Sequence, residues 1–417
     1  NKNISILSSY HPHMKFVAAV LVFLTLACPL VSAQVDSVRI LNHIKILSDD
    51  ANQGRAAGSV GEASAADYVR SAFTQLQLQP RGDANTYLQS FQFKKGIHGE
   101  GESGTAHNII GYLDNDAKYT VIIGAHYDHL GTDGQGSSLD PNPSNKIHNG
   151  ADDNASGVAG VLELARYFST NSVKEKCNFL FSCFSGEELG LLGSKYFADH
   201  SPVKISSINY MINMDMIGRM DRQSHILLVS GTGTSPVWEP LLKKIRGVTI
   251  KTDSSGTGPS DHTSFYLKGI PAIHFFTGSH SDYHKPSDDW EKINATGEAE
   301  VLKVIIDVVE SLDSKGKLTF LKTKTKSLAG RSSFKVTLGI MPSYSGDVDG
   351  LKVDGVSDNK PAQKAGIISG DIILKIGEME IHDIQNYMDA LNKFEKGQTV
   401  PVKIKRAESV VTLSVTF

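Results

Sequence analysis

Between residues 120 and 312, short apolar runs alternate with segments patterned for helices. Thr120 to Gly124 is followed by Gly157 to Phe168, Asn178 to Phe184 by Leu189 to Ala198, and Ile270 to Phe276 by Glu298 to Leu312, with Ile208 to Met214 between the last two pairs. Such alternation predicts an α/β domain with a mostly parallel central sheet covered by helices on both faces. Beyond residue 313 the pattern changes. Asp313 to Arg331 is poor in large aliphatic residues and carries Lys315, Lys317, Lys322, Lys324 and Lys326, which reads as a solvated linker. A compact β-rich segment follows it. The expected organisation is therefore a domain over 34–315, a linker over 316–331 and a small domain over 332–417.

Residues 1–33 stand apart. Lys15, the apolar run Phe16 to Leu30 and the small-residue triplet Val31-Ser32-Ala33 read as an export signal cleaved before Gln34, with Met14 as the start and residues 1–13 upstream of it. The run is shorter than the roughly 20 apolar residues a membrane span needs, so no spanning segment is expected once the signal is removed. A lipid anchor at Cys28 is the weaker alternative, because Thr25 occupies the position where a lipoprotein signal carries leucine. The expected location is periplasmic or secreted.

After that cleavage Cys177 and Cys183 remain, at opposite ends of one apolar run. An extended run of that length spans about 20 Å, beyond the reach of a disulfide, so both are expected as free thiols. The charge balance is even: 42 Lys and Arg against 45 Asp and Glu give a net charge of -3. With no basic face in the sequence, nucleic acid is not an expected partner.

The chemistry-bearing residues fall where strand patterns end, which is where open α/β sheets gather their ligands. Gly124-Ala125-His126-Tyr127-Asp128 closes the first strand, and a period of two puts the Asp128 carboxylate beside the His126 imidazole. In Gly150-Ala151-Asp152-Asp153-Asn154-Ala155-Ser156, Asp152, Asn154 and Ser156 suit helix capping, whereas Asp153 is a candidate to bridge two metals. The Asn154-Ala155-Ser156 triplet also matches a glycosylation pattern, but a sugar there would block the site. Ser185-Gly186-Glu187-Glu188 offers one carboxylate for a metal and one as general base. Asp215 ends an apolar strand and needs a cation, either a metal or Arg219. His284 follows in Asp282-Tyr283-His284, while His129, His262 and His280 read as weaker, solvated or core histidines.

In this order the stretches Gly124 to His129, Gly150 to Gly157, Ser185 to Gly190, Asn213 to Gly218 and Asp282 to His284 resemble the bacterial secreted zinc aminopeptidases, whose wider family includes glutamate carboxypeptidase-like enzymes. The resemblance implies the zinc-exopeptidase sandwich and two zinc ions, one held by His126, Asp153 and Asp215 and the other by Asp153, Glu188 and His284. It implies Glu187 as general base and acid, Asp128 as partner of His126, Tyr283 as a hydroxyl donor to the oxyanion, and a cis peptide after Asp153. Peptides are the implied substrates. Carboxypeptidase action, a glutaminyl-cyclase-like acyltransferase and a non-catalytic binding protein of the same fold are the alternatives; retention of all five ligands and Glu187 argues against the last two.

The C-terminal segment resembles a bacterial PDZ domain. Val336-Thr337-Leu338-Gly339-Ile340 is similar to its carboxylate loop, and the order is kept through Lys360 to Gly366, Gly370 to Gly377, the Ile384 to Leu391 helix and the strands Val400 to Lys405 and Val410 to Phe417. The resemblance implies capture of a peptide C-terminus as an added strand beside Leu338-Gly339-Ile340. The loop Gly131 to His148, rich in Gly, Ser, Asn and Pro, reads as a mobile surface segment or a cover for the site.

Overall fold

A computed structural model describes residues 34–94, 103–138, 140, 142–278, 280–323, 336–342, 349–356, 360–382, 384–391 and 393–417. The export signal and Cys28 therefore lie outside the described residues. So do residues 324–331 of the expected linker.

The first domain is built on a 9-stranded sheet. Its centre is four strands in the order Asn178–Phe184, Thr120–His126, Ile208–Met214 and Ala272–Phe276, each parallel to its neighbour. Toward the edges the pairing turns antiparallel, Ser103–Leu113 against Asn178–Phe184 and Ile226–Ser230 against Ala272–Phe276. Every residue of Thr120–His126, Asn178–Phe184 and Ile208–Met214 is buried, which accounts for the continuous apolar runs.

The side chains of these strands still alternate between two cores. Val121, Ile123 and Ala125 enter one together with Phe179, Phe181 and Cys183, under the helices Ser37–Leu47, Val60–Gln75, Gly157–Thr170 and Ala295–Leu312. Ile122, Leu180 and Phe184 enter the other, under Leu192–Asp199 and His262–Tyr266. Each such aliphatic or aromatic side chain contributes about 1.5–3 kcal/mol on full burial. Cys177 and Cys183 are free and buried, as their spacing requires.

Helix entries follow local chemistry. Asp36 accepts from Val38 N–H and Asn294 from Gly297 N–H, so each caps an end whose amides have no partner within the helix. After Leu312 the chain does not behave as a solvated linker at once. Leu318 is buried in the main core, and its N–H donates to Asn209 Oδ1 at 2.7 Å. Lysines are exposed around it, so composition hid the anchoring residue.

The second domain is a 6-stranded sheet with its own core of Leu338, Leu351, Val353, Ile373, Ile376, Val402, Ile404 and Val415. Buried Asp371 receives two hydrogen bonds of 2.7 Å from Arg406, a paired geometry that satisfies both groups. Gly339, in the loop before strand Ile340–Pro342, has φ 78°, a conformation open to glycine.

Candidate metal centre

Four parallel strands deliver their carboxyl ends to one edge, and the register aligns them: His126 is opposite Phe184, Gly124 opposite Asn213 and Phe275 opposite Met214. His126 is the last residue of its strand. Glu187 and Glu188 follow the tight turn after Phe184, where Gly186 takes φ 68°. Asp215 follows Met214 directly, and His284 sits in the loop beyond Phe276. Asp153 lies in a single wide helical turn, Ala151–Ser156, ahead of the helix Gly157–Thr170, and the Asp153–Asn154 peptide is cis, as expected.

Contacts distant in sequence lock this frame. The Arg55 guanidinium is buried and donates to four carbonyl oxygens: Leu47 (2.7 Å), Tyr127 (2.8 Å), Asn149 (2.7 Å) and Gly150 (3.0 Å). It thereby joins the segment after His126 to the one before Asp153. Burial draws its pKa down to about 10, against the opposing pull of Asp128, Asp153 and Asp288. Asn154 donates to Met214 O (3.0 Å) and accepts from Gly157 N–H and Met216 N–H, fastening the Asp153 turn to the Asp215 segment. It is fully buried, so the glycosylation pattern has no acceptor at the surface. Asp288 Oδ2 accepts from the N–H groups of Asp152 and Asp153 at 2.9 and 3.0 Å.

Asp153 stands between two histidines. Its Oδ1 is 3.4 Å from His126 Nε2 and its Oδ2 is 3.4 Å from His284 Nε2. Asp215 Oδ1 lies 3.4 Å from the same His126 nitrogen, and Glu188 Oε2 lies 3.2 Å from the same His284 nitrogen. Donor atoms placed tetrahedrally about 2.0–2.1 Å from one zinc ion stand about 3.3 Å apart, the separation of these histidine–carboxylate pairs. Ligand atoms also converge within 4.8 Å in two groups, His126 with Glu187 and Asp215, and His129 with Asp153 and Glu188. Arg219, the other cation considered for Asp215, pairs with Asp282 at 3.1 Å and lies 3.8 Å from Asp288.

The histidines are oriented for this. Backbone carbonyls only accept, so Nδ1 of His126 donates to Asp128 O (3.2 Å) and Nδ1 of His284 donates to Ser137 O (3.0 Å), turning Nε2 of each ring toward the carboxylates. The strand ends at His126, and Asp128 still lies beside its ring. The Asp128 carboxylate is 3.7 Å from His126 Nδ1 and also accepts from Glu187 N–H at 3.1 Å. His129 is buried with Nδ1 2.7 Å from Glu188 Oε1, so it steadies the carboxylate whose other oxygen faces His284. His280 Nε2 meets Asp152 Oδ2 at 3.1 Å, and buried His262 stacks on His274 at 4.7 Å.

Carboxylates dominate the electrostatics of the cluster. Burial alone would lower the His284 pKa, yet Glu188 and Asp153 raise it to about 11; His126 is likewise lifted against burial by Glu187, Asp215 and Asp128. Glu187 is pushed well up, first by burial and then by Asp215 and Glu188. Converging carboxylates thus hold protons on imidazoles that a divalent cation would displace.

A cavity of about 440 Å³ opens over the cluster, walled by Met216, Leu228, Phe276 and the loop from Asp253 to Pro259. Glu187 and Tyr283 also line it, and the Tyr283 ring stacks on His284 at 3.9 Å. Burial, reinforced by the surrounding carboxylates, pushes the Tyr283 pKa up and keeps its hydroxyl a donor.

The matching family models coincide with these two domains. Residues 108–309 match Peptidase family M28, and residues 334–417 match the PDZ domain. The chain carries an M28 peptidase domain and a PDZ domain. The chain is similar to Leupeptin-inactivating enzyme 1 of Streptomyces exfoliatus, at 28% identity over 61% of this chain and 51% of that protein. It is also similar to Aminopeptidase YwaD of Bacillus subtilis, at 33% identity over 46% of this chain and 41% of that protein. The chain thus spans about half the length of the curated relatives it matches. Among solved structures, BSAP, a zinc aminopeptidase from Bacillus subtilis, shares the fold at 18% identity and TM-score 0.55, over 68% of this chain and 97% of that one. A Bacteroides thetaiotaomicron glutaminyl cyclase shares it at 19% identity and TM-score 0.53, over 66% of this chain and 98% of that one. Fold likeness does not separate these two activities.

Several residues of the M28 domain's site gave no signal in the sequence: Arg55, Asp288 and Ser137 act through contacts 72 or more residues away. Asp261, buried beside the cluster and raised to about 7 first by burial and then by Asp128 and Asp215, is another. His129 carried a weak signal, its closeness to His126.

Proposed function

We propose that this chain is a co-catalytic di-zinc metallopeptidase that removes N-terminal residues from peptides. The observation that carries the proposal is the position of Asp153, one oxygen turned to the His126 and Asp215 pair and the other to the His284 and Glu188 pair. One zinc would be held by His126, Asp153 and Asp215 and the other by Asp153, Glu188 and His284; bound there, the two ions would supply Lewis acidity and a water acidic enough to ionise near neutral pH.

The chain's own groups do the rest. Glu187 lines the cavity with its backbone held by Asp128, and its raised proton affinity suits a base that accepts a proton from water and returns it to the leaving amine. Tyr283 keeps a hydroxyl proton to donate to the oxyanion. His129 and Ser137 O hold Glu188 and His284 in place. The PDZ domain is proposed to take a peptide C-terminus beside Leu338-Gly339-Ile340. Export is inferred from Lys15 to Ala33; among the described residues, no helix is long and apolar enough to cross a membrane.

The test is incubation of zinc-loaded protein with free and N-acetylated peptides, followed by mass spectrometry, with Glu187→Gln as control. Stepwise N-terminal loss from free peptides alone is expected, with turnover reduced about 10²–10⁴-fold in the variant and zinc content unchanged. Cleavage from the C-terminus would make it a carboxypeptidase. Cyclisation of N-terminal glutamine without hydrolysis would make it an acyltransferase.

A further inference from the structure

The loop from Asp253 to Pro259 forms one wall of the cavity through Asp253, Ser255, Thr257, Gly258 and Pro259. Its ends are tied to the M28 domain: Thr232 N–H and Gly233 N–H donate to the carbonyls of Asp253 and Ser254, and Gly258 N–H donates to Thr263 Oγ1 at 2.8 Å. Its middle is tied from elsewhere. Past the long helix Ala295–Leu312 the chain returns along this side of the domain, with Leu321 N–H donating to Thr234 O at 2.8 Å and the Phe320 ring 5.5 Å from that of Tyr266. At Thr323 both the N–H (3.0 Å) and the hydroxyl (3.1 Å) donate to the Tyr266 phenol oxygen. The hydroxyl oxygen is then free to accept from Gly256 N–H at 3.1 Å.

Gly256 lies flush on Tyr266, since a Cβ there would come within 2.3 Å of the ring. Its seat is therefore narrow, and the Thr323 hydroxyl sets the orientation of the backbone between Ser255 and Thr257.

We propose that Thr323 is a positioning residue for the substrate pocket. A segment whose lysine-rich sequence reads as linker fixes the wall made by Ser255 and Thr257. This rests on the reading of the cavity as the substrate site. Hydrogen bonds tie the wall to Thr232, Gly233, Thr263 and Thr323 and among its own residues, so the effect belongs in KM.

Three full-length, zinc-loaded proteins test it: wild type, Thr323→Val, which keeps the volume and loses the hydroxyl, and Thr323→Ser, which keeps the hydroxyl. Two readouts are taken, steady-state hydrolysis of aminoacyl anilides and hydrogen-exchange mass spectrometry over residues 253–259. Thr323→Val should raise KM roughly three- to tenfold with kcat within about twofold and speed exchange in the loop; Thr323→Ser should restore both. A fall in kcat with KM unchanged, or a serine variant as impaired as the valine one, overturns the proposal. Tyr266→Phe, which removes the oxygen that holds Thr323, should reproduce the KM effect and serves if Thr323→Val does not accumulate. Should the wild type hydrolyse nothing, the peptidase reading fails, while loop exchange still decides the role of Thr323.

Discussion

The two halves of the candidate metal centre are built differently. His126 and Asp215 stand at the ends of central strands whose residues are buried throughout, and Arg55 and Asn154 bind their flanking backbone into the frame. His284 sits in a loop at φ 54°, and its ring is aimed by one carbonyl, Ser137 O, from the Gly131–His148 excursion. Glu188, its companion, leans on His129. The first half is preorganised by the sheet. The second depends on a loop and a neighbouring imidazole, so it should be the one that variation weakens selectively.

The largest effect should come from attacking the rigid half. Arg55→Leu leaves buried carbonyls of Leu47, Tyr127, Asn149 and Gly150 without their donor, and urea unfolding should show a loss of about 3 kcal/mol or more. A loss under about 1 kcal/mol would mean that Arg55 does not frame this half.

His129→Ala attacks the other half. Zinc titration should show one site weakened about 10–100-fold and one unchanged, with the fold intact. Equal weakening of both sites would erase the distinction between the halves.

Metal removal sharpens it further. In zinc-stripped protein, His284 is raised from 6.5 to about 11 and Asp261 from 3.8 to about 7, with Glu187 and His126 also raised. In each case the folded state holds its proton more tightly than the unfolded chain, so the stabilisation is full below the ordinary value and lost as pH climbs through the folded one. Above pH 7, where His262 and His274, lowered by burial, are neutral in both states, thermal midpoints of the stripped protein should thus fall toward pH 11 through His284, and excess zinc should oppose the fall. A midpoint that rises with pH above 7 in the absence of metal would contradict this charge balance.

The smallest effect is expected from Asp288→Asn. The amide oxygen still accepts from Asp152 and Asp153 N–H, so stability should change by about 1 kcal/mol and zinc affinity only slightly.

The same contrast marks what the sequence could reveal. Apolar runs with a ligand type at each end located the strands, the topology class and the residues that converge on Asp153, because strand burial and strand-end chemistry are local signals. The antiparallel pairings outside the four central strands, Arg55, Asp288 and the Ser137 carbonyl left no such trace: their roles arise from contacts between segments far apart, and a backbone carbonyl has no side-chain identity to read. The spacing that puts Asp128 beside His126 gave no hint that the same carboxylate oxygen also accepts from Glu187 N–H. In the segment after Leu312, lysines masked the anchoring of Leu318 and Thr323.

The most direct test of the shared-carboxylate centre is a crystal structure of the zinc-loaded protein with anomalous data on both sides of the zinc edge. The account predicts two peaks about 3.5–4 Å apart, with one Asp153 oxygen on each, His126 and Asp215 on the first and Glu188 and His284 on the second. A single peak, or two with Asp153 bound to only one, would contradict it.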